Sequence, residues 1–282
     1  MKKIFSILLF SLSFHLVQAQ SFANYPEKNI TIIVGFPPGT ATDTIARILA
    51  ERFSNKLGKS FIIENKPGQG GSLGAGIAAQ AIPDGHTLLL SATAPFATNP
   101  HLYAKLNYDS RKSFAPIGLV SWLPYVMVTN PKSGLNSMQD LIEKSKVEPN
   151  KYTFASIGNG STSHLMMSML TSQAEIKMTH IPYKGSSQSQ TDLIGGQVDV
   201  TFDTVLTLMP HIKSGKLKAL ATGGLTRTSF APDVPTVDEL GLKGFNGGAW
   251  LGLFSPAGTP RPIVDRLHKE LITALEDPEI VK

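Results

Sequence analysis

Residues 30–43 read ITIIVGFPPGTATD, and they join a strand pattern to the start of a helix through a short loop. The β-branched run from Ile30 to Val34 is typical of a strand buried on both faces of a mostly parallel sheet. Apolar residues then recur at four-residue spacing from Ile45 to Leu57, and Gly58 follows as a stop signal. This spacing predicts a helix directly behind the loop.

The loop from Phe36 to Asp43 has the residue types of an anion site. Thr40, Thr42 and Asp43 are candidate N-caps, and a loop at the carboxyl end of a strand presents backbone N–H groups and the positive end of the helix dipole. Every strand-to-helix junction needs a cap, however, so the loop taken alone favours a plain connection. For Asp43 we favour a capping role over ligand contact, because a carboxylate in the first turn interacts favourably with the dipole.

A second loop repeats this pattern and strengthens the anion interpretation. A strand over 152–156 is followed by Gly158 and Gly160, and Ser161, Thr162 and Ser163 then open a helix. N–H groups and three hydroxyls would lie at this helix start, above the end of the strand. We therefore expect the two loops to bind one anionic ligand together.

The rest of the chain alternates between strand and helix patterns. Strands are predicted over 61–64, 87–91, 180–183, 198–202 and 217–221, and helices over 72–81, 186–194 and 205–213, with a short helix within 231–240. This alternation predicts parallel, doubly wound sheets with right-handed crossovers. The apolar stretches 114–128 and 249–254 fit strands that cross between two lobes, although the first also fits a central core strand.

Glycines at 68, 70, 74 and 76 invite comparison with a dinucleotide-binding loop. The third glycine of that motif is missing at position 73, and the remaining fragment lies inside a predicted helix rather than after a strand. Close packing of the helix explains these glycines more simply.

The N-terminus has the features of a secretory signal. Lys2 and Lys3 precede an apolar run from Ile4 to Val17, and small residues offer a cleavage site after Ala19. Removing two lysines lowers the formal charge from +5 to +3, and no Lys/Arg cluster supports nucleic-acid binding. The chain has no cysteine, which excludes disulfides and thiolate metal sites. We expect a soluble, periplasmic mature protein that begins near Gln20.

Nine segments in one order cover nearly the whole mature chain: FPPG, ENKPGQGG, DGHTLL, GNGSTSH, PYKG, GGQVD, PHIKSGK, PDVPT and SPAGTP. They resemble the Bug, or TctC-like, solute receptors of tripartite tricarboxylate transporters. The resemblance implies an α/β, type II periplasmic binding-protein fold with two doubly wound lobes joined by crossing strands. Lobe 1 would comprise 20–124 and 250–282, and lobe 2 would comprise 125–249.

The resemblance also implies the binding residues, because the family's loops map onto Phe36–Asp43, Ala92–Ala94, Ser156–His164, Tyr183 and Asp203. The expected ligand contacts are Phe36, Pro37, Gly39, Thr40, Ala41, Thr42, Ala92, Thr93, Ser156, Gly160, Ser161, Thr162, Ser163, His164, Tyr183 and Asp203. Thr40 and Ala41 depart from the family pattern, which has a second glycine and then a serine. Family members also extend a few dozen residues beyond a last helix that here is predicted to contain Lys282, so a truncated first lobe is expected.

Neither predicted loop contains an arginine or lysine, and the nearest cation is Arg47 in the following helix. Backbone N–H groups, hydroxyls and bridging water would therefore hold the carboxylate without a salt bridge, a cofactor or a metal ion. Asp203 has three open roles: it could hold a bridging water, reject a ligand with a negative group there, or cap the following helix.

An enzyme is the competing class, and its usual motifs are absent from the sequence. Ser161 and His164 lie one turn apart, but no third group is evident to orient the histidine. We therefore predict a monomeric, non-enzymatic receptor for a di- or tricarboxylate, amino acid or related organic acid. Its partners would be the membrane permease subunits of a tripartite transporter; the alternative is a periplasmic co-receptor that signals to a membrane sensor without transport.

Overall fold

The computed structural model describes residues 24–277, and ten strands lie within this range. They are β1 (Ile30–Val34), β2 (Phe61–Asn65), β3 (Thr87–Ala92), β4 (Phe114–Leu123), β5 (Tyr125–Thr129), β6 (Thr153–Ser156), β7 (Thr179–Pro182), β8 (Val200–Thr204), β9 (Lys218–Thr222) and β10 (Ala249–Pro256). The predicted signal peptide, residues 1–19, lies outside the described residues.

The helices follow the predicted pattern closely, with a few short additions. They are α1 (Ala41–Leu57), α2 (Ser72–Ala79), α3 (Asn99–Leu102), α4 (Met138–Val147), α5 (Thr162–Gln173), α6 (Ser186–Ile194), α7 (Val205–Lys213) and α8 (Arg261–Leu275). The short helix predicted within 231–240 is wrong, because that segment forms turns. Helix α8 ends at Leu275 and so does not reach Lys282 as predicted. No helix among the described residues is long and apolar enough to cross a membrane.

The strands form two five-stranded sheets of the same design. Their orders are β2-β1-β3-β10-β4 and β7-β6-β8-β5-β9. Each sheet has one strand that runs antiparallel to both its neighbours, β10 in the first and β5 in the second. The two-lobe α/β fold is confirmed, and each sheet is mixed, with one antiparallel strand among parallel ones.

Each antiparallel strand is the first strand that the chain forms after it crosses from one sheet to the other. β4 ends at Leu123, and after Pro124 the chain continues directly as β5 in the second sheet. The parallel strands end at the cleft between the sheets, so a strand that enters from the cleft runs in the opposite direction. The stretch 114–128 is therefore two strands, separated by a proline that cannot donate to a ladder.

Caps and close contacts fix the loop that follows β1. Helix α1 ends at Gly58, which adopts the left-handed conformation with φ 68°, as its stop signal predicts. A Cβ atom added to Gly74 of α2 would lie 2.7 Å from the Cα of Gly35. This close approach confirms that helix packing explains the glycine at 74, and it sets α2 directly against the end of β1.

Candidate functional site

A narrow cavity that opens to solvent lies between the two sheets. From the first sheet and its loops it is lined by Phe36, Thr40, Ala41, Thr42 and Ala92. From the strand crossing and the second sheet it is lined by Leu123, Tyr125, Ile157, Thr162, Ser186, Asp203 and Thr204. Both predicted loops therefore contribute to one cavity.

The N-terminus of α1 faces this cavity with two free donors. Thr40 is the N-cap, and its Oγ1 accepts the Asp43 N–H at 3.4 Å, while the Asp43 carboxylate accepts the Gly39 N–H at 3.0 Å. This is a reciprocal capping pair, so the prediction of Asp43 as the N-cap is wrong: it is the third residue of the helix. Within the described residues, the N–H groups of Ala41 and Thr42 have no hydrogen-bond partner.

The N-terminus of α5 repeats this arrangement in the second lobe. Ser161 is the N-cap and accepts the His164 N–H at 3.3 Å, while Nδ1 of His164 accepts the Gly160 N–H at 3.2 Å. Histidine thus takes the place that Asp43 has in the first lobe. Thr162, the first residue of α5, lines the cavity, and the described hydrogen bonds leave its N–H without a partner.

Two further helix starts reach the cavity; the sequence predicts both helices but does not assign either start to the site. Ser186 is the first residue of α6, and Thr204 is the N-cap of α7. Each carries the signal used for the other loops, a hydroxyl residue at the junction of a strand or turn with a helix. Leu123 and Tyr125 were not predicted to line the site, because they flank Pro124 at the strand crossing and no loop motif marks them. Ile157 was also not named, although it lies inside the predicted second loop.

Several predicted contacts lie outside the cavity lining because other groups hold their side chains. Oγ1 of Thr93 accepts the Trp250 N–H at 2.9 Å, and the Tyr183 hydroxyl donates to Asp192 at 2.8 Å. Ser156 Oγ lies 2.7 Å from His180 Nε2, and Ser163 Oγ donates to the carbonyl of Phe202. The predicted contacts that lie outside the cavity lining are Thr93, Tyr183, Ser156 and Ser163, together with the capping residues Ser161 and His164.

Pro37, Gly39 and Gly160 lie instead at the rim, where the two lobes touch. A Cβ atom added to Gly185 would lie 2.9 Å from Cγ of Pro37, and one added to Gly39 would lie 2.9 Å from Oγ of Ser187. On another part of the rim, a Cβ atom on Gly160 would lie 2.8 Å from Oδ1 of Asn99. These contacts enclose the cavity between the lobes.

Asp203 is the one charged side chain in the cavity lining. Its exposed fraction is 1%, Oδ1 accepts the Thr204 N–H at 2.7 Å, and Oδ2 accepts Nε2 of Gln190 at 3.2 Å. Burial raises the pKa of Asp203, while hydrogen bonds from Ser186, Thr204 and Gln190 oppose that rise. Burial and the nearby Asp203 also raise the pKa of Tyr125, which is completely buried.

Arg47, the nearest cation in the sequence, is engaged away from the cavity lining. Its guanidinium binds both oxygens of Asp43, at 2.9 and 3.1 Å. Burial alone would raise the pKa of Asp43, but hydrogen bonds from Arg47, Asn65 and Gly39 hold it below its ordinary value. Among the described residues, the lining thus combines helix N-termini and hydroxyls with one acidic group and no cationic side chain.

A stacked pair of histidines supports the second loop from behind. The rings of His164 and His180 lie 4.2 Å apart, and Phe154 stacks on His180 at 4.8 Å. Burial lowers the pKa of His164. Burial, with the charge of His164, lowers the pKa of His180 to about 4. Both rings are therefore neutral at pH 7, as the bond from the Gly160 N–H to His164 Nδ1 requires.

The geometry of the Ser–His pairs does not suit nucleophilic catalysis. Ser161 Oγ donates to the carbonyl of Gly158 at 2.6 Å, and Nδ1 of His164 is occupied by the Gly160 N–H. Ser156 and His180 are within hydrogen-bond distance, but Ser156 has no exposed surface for a substrate to reach. Within residues 24–277 there is no group of three side chains of the types His, Cys, Asp and Glu that could hold a metal ion.

Three solved structures are similar to this chain over most of its length. Periplasmic binding protein BugD is 40% identical, with a TM-score of 0.87, over 91% of this chain and 86% of its own. MatC from Rhodopseudomonas palustris, with bound malate, is 33% identical, with a TM-score of 0.86, over 91% and 87%. Rpa4515 of R. palustris, with adipate, is 29% identical, with a TM-score of 0.87, over 90% and 85%.

The family model for the tripartite tricarboxylate transporter family receptor, TctC, matches residues 45–282. This range includes the second loop, the rim glycines Gly160 and Gly185, and Asp203. TctC receptors are solute-binding proteins, and the solved relatives with malate and adipate hold carboxylates. The chain therefore belongs to the TctC family of receptors, as its sequence segments indicate.

Proposed function

We propose that this protein is a periplasmic receptor that captures a small carboxylate between its lobes and delivers it to a tripartite tricarboxylate transporter. The observation that carries the proposal is the convergence of helix N-termini from both lobes on one cavity without a cationic side chain. The carboxylates held by MatC and Rpa4515 support the same ligand class.

The free N–H groups of Ala41, Thr42 and Thr162 suit a carboxylate because each is a donor at the positive end of a helix dipole. A hydrogen bond to a charged group contributes about 1.5–3 kcal/mol. Three such bonds contribute about 4.5–9 kcal/mol, close to the roughly 8 kcal/mol of micromolar binding. The hydroxyls and apolar side chains of the lining would have to offset the cost of association. The ligand contacts among the predicted residues are thus Phe36, Thr40, Ala41, Thr42, Ala92, Thr162 and Asp203, with Tyr125, Ser186 and Thr204 added.

The two strand crossings are the proposed hinge. Lobe 1, residues 20–124 and 250–282, would rotate against lobe 2, residues 125–249, about the stretches 122–128 and 249–254. Small-angle scattering with and without a confirmed ligand tests this motion, and an unchanged radius of gyration would indicate a rigid pocket. The basic and apolar features of residues 1–19 support export, which N-terminal sequencing of the exported protein tests.

A thermal-shift screen of mono-, di- and tricarboxylates tests the ligand class. Ligand at a hundred times its dissociation constant adds about 2.7 kcal/mol of stability, which raises the melting temperature measurably. Amidated analogues of the same shape are the matched controls, and they should have little effect. Equal stabilisation by acids and amides, or no stabilisation by any carboxylate, would contradict the proposal. Loss of uptake after deletion of the permease genes would then test the transport role separately.

A further inference from the structure

Asp203 is an unusual neighbour for an anionic ligand. It is buried, it lies at the carboxyl end of β8, and it faces the same cavity as the free N–H groups of α1 and α5. No salt bridge to Asp203 occurs within the described residues, so no cation in that part of the chain neutralises it. A ligand carboxylate placed against an ionised Asp203 would be repelled in this low-dielectric space.

The hydrogen bonds of Asp203 nevertheless favour its carboxylate form. Both oxygens accept N–H donors, from Thr204 and from Gln190, and Ser186 is a further hydrogen-bond partner. A carboxylate has about four acceptor positions, so these three partners leave one position unfilled. Because Asp203 lines the cavity, a donor group on a bound ligand can take this position from water.

We propose that Asp203 selects carboxylates that carry a hydrogen-bond donor, a hydroxyl or an ammonium group, over unsubstituted ones. The inference rests on the proposed function and names its substrate class more narrowly. The ligand carboxylate meets the N–H groups of Ala41, Thr42 and Thr162, and the donor group meets Asp203. The cavity therefore imposes two different requirements on the ligand, a carboxylate for the N–H groups and a donor for Asp203.

A ligand without the donor would place an apolar group against the buried Asp203 carboxylate and would make no hydrogen bond with it. Sites built to bind a hydroxyl or N–H group reject analogues that lack it far more strongly than apolar pockets reject a missing methylene. A second carboxylate at this point would add repulsion to the lost hydrogen bond. The preference for the substituted acid should therefore be at least tenfold.

Titration calorimetry with matched acids tests the inference directly. The sets are propionate, lactate and alanine; succinate, malate and aspartate; and glutarate, 2-hydroxyglutarate and glutamate. Within the set of the right length, the hydroxy or amino acid should bind at least tenfold more tightly than the unsubstituted acid. The hydroxy and amino members distinguish the two kinds of donor.

Asp203→Asn removes the charge and keeps the shape, so it should reduce that preference severalfold. Asp199→Asn is the matched control: Asp199 lies just before β8, at the opposite end of the strand, where it accepts the Thr153 N–H at 2.7 Å. Thermal unfolding of both variants checks that they fold. If Asp203→Asn does not fold, the preference of the wild type for the substituted over the unsubstituted acid tests the inference by itself.

The outcomes separate this inference from the proposed function. A wild-type preference for unsubstituted acids, or a preference that Asp203→Asn leaves unchanged, would overturn the role of Asp203 while carboxylate binding stands. Unchanged or tighter binding of succinate by Asp203→Asn would indicate that Asp203 holds a proton and donates it to the ligand. That result would also overturn the proposed role of Asp203 as an acceptor. Failure of every acid to bind would refute the proposed function itself.

Discussion

Replacing Gly185 with alanine should weaken ligand binding by holding the lobes apart. Gly185 has φ 175° and ψ 176°, an extended conformation that alanine adopts without strain. Its new Cβ would lie 2.9, 3.3 and 3.4 Å from Cγ, Cβ and Cδ of Pro37 across the rim. The proline ring is rigid, so the lobes must separate by several tenths of an ångström to restore ordinary contact.

The size of the effect follows from where the clash occurs. Overpacking of a tight contact costs about 1–3 kcal/mol, and here only the closed arrangement bears that cost. Since each 1.4 kcal/mol is a tenfold change, the affinity should fall about 5- to 150-fold. Gly185 is also the N-cap of α6, where exchange for alanine should lower stability by no more than about 1 kcal/mol.

Titration calorimetry on the wild type and Gly185→Ala measures this loss. Gly195→Ala is the matched control, at the other end of the same helix with φ −73°. Its Cβ would contact only backbone oxygens of Thr191 and Asp192 in its own helix. Binding by Gly185→Ala within twofold of the wild type, or an equal loss in Gly195→Ala, would refute the reasoning.

Three further substitutions test the two loops and the histidine pair behind the second loop. Thr162→Pro should reduce affinity at least tenfold, because it deletes a free N–H at the first position of α5. The helix content should be preserved, since proline is tolerated at this position after the extended Ser161. Calorimetry measures the affinity and circular dichroism the helix content, and near-normal binding would contradict the backbone-donor mechanism. Arg47→Ala should change affinity less than threefold, since the half-exposed guanidinium pairs with Asp43 outside the cavity lining; abolished binding would indicate an ionic clamp. His180→Gln should make the free energy of unfolding less sensitive to acid. In the wild type, the pKa of His180 is about 4 in the folded state and near 6.5 in the unfolded state. The stability that neutral His180 contributes above pH 6.5 is therefore lost as the pH falls towards 4, and the variant lacks this loss. Urea unfolding at pH 7.5 and 4.5 measures that difference, and an unchanged loss in the variant would exclude His180 as its source.

The order of elements could be predicted from the sequence because each junction has its own local chemistry. The stop at Gly58, the cap at Ser161 and the short strands that alternate with helices are decided within a few residues of chain. The antiparallel direction of β5 and β10 could not be predicted in this way. It depends on the chain leaving one sheet at the cleft and entering the other there, which no local pattern records.

The candidate site was predictable in part for a related reason. Helix starts at Thr40 and Ser161 carry a recognisable signal, but Ser186 and Thr204 carry nearly the same one, and only the fold brings all four to one cavity. The structure also shows which of the predicted hydroxyls already have partners within the protein. Ser161 and Ser163 are held by backbone partners, and a sequence does not reveal which hydroxyls the protein itself uses.

The two capping pairs explain why backbone donors remain available in both lobes. Asp43 accepts the Gly39 N–H in the first lobe, and His164 accepts the Gly160 N–H in the second, while the N-caps accept the third N–H of each helix. Each pair fixes its loop and leaves N–H groups at the helix start without a partner, those of Ala41 and Thr42 in α1 and that of Thr162 in α5. In the proposed receptor, the main chain supplies the donors for the ligand carboxylate. Discrimination among carboxylates then falls to the few side chains that the caps do not use, with Asp203 foremost among them.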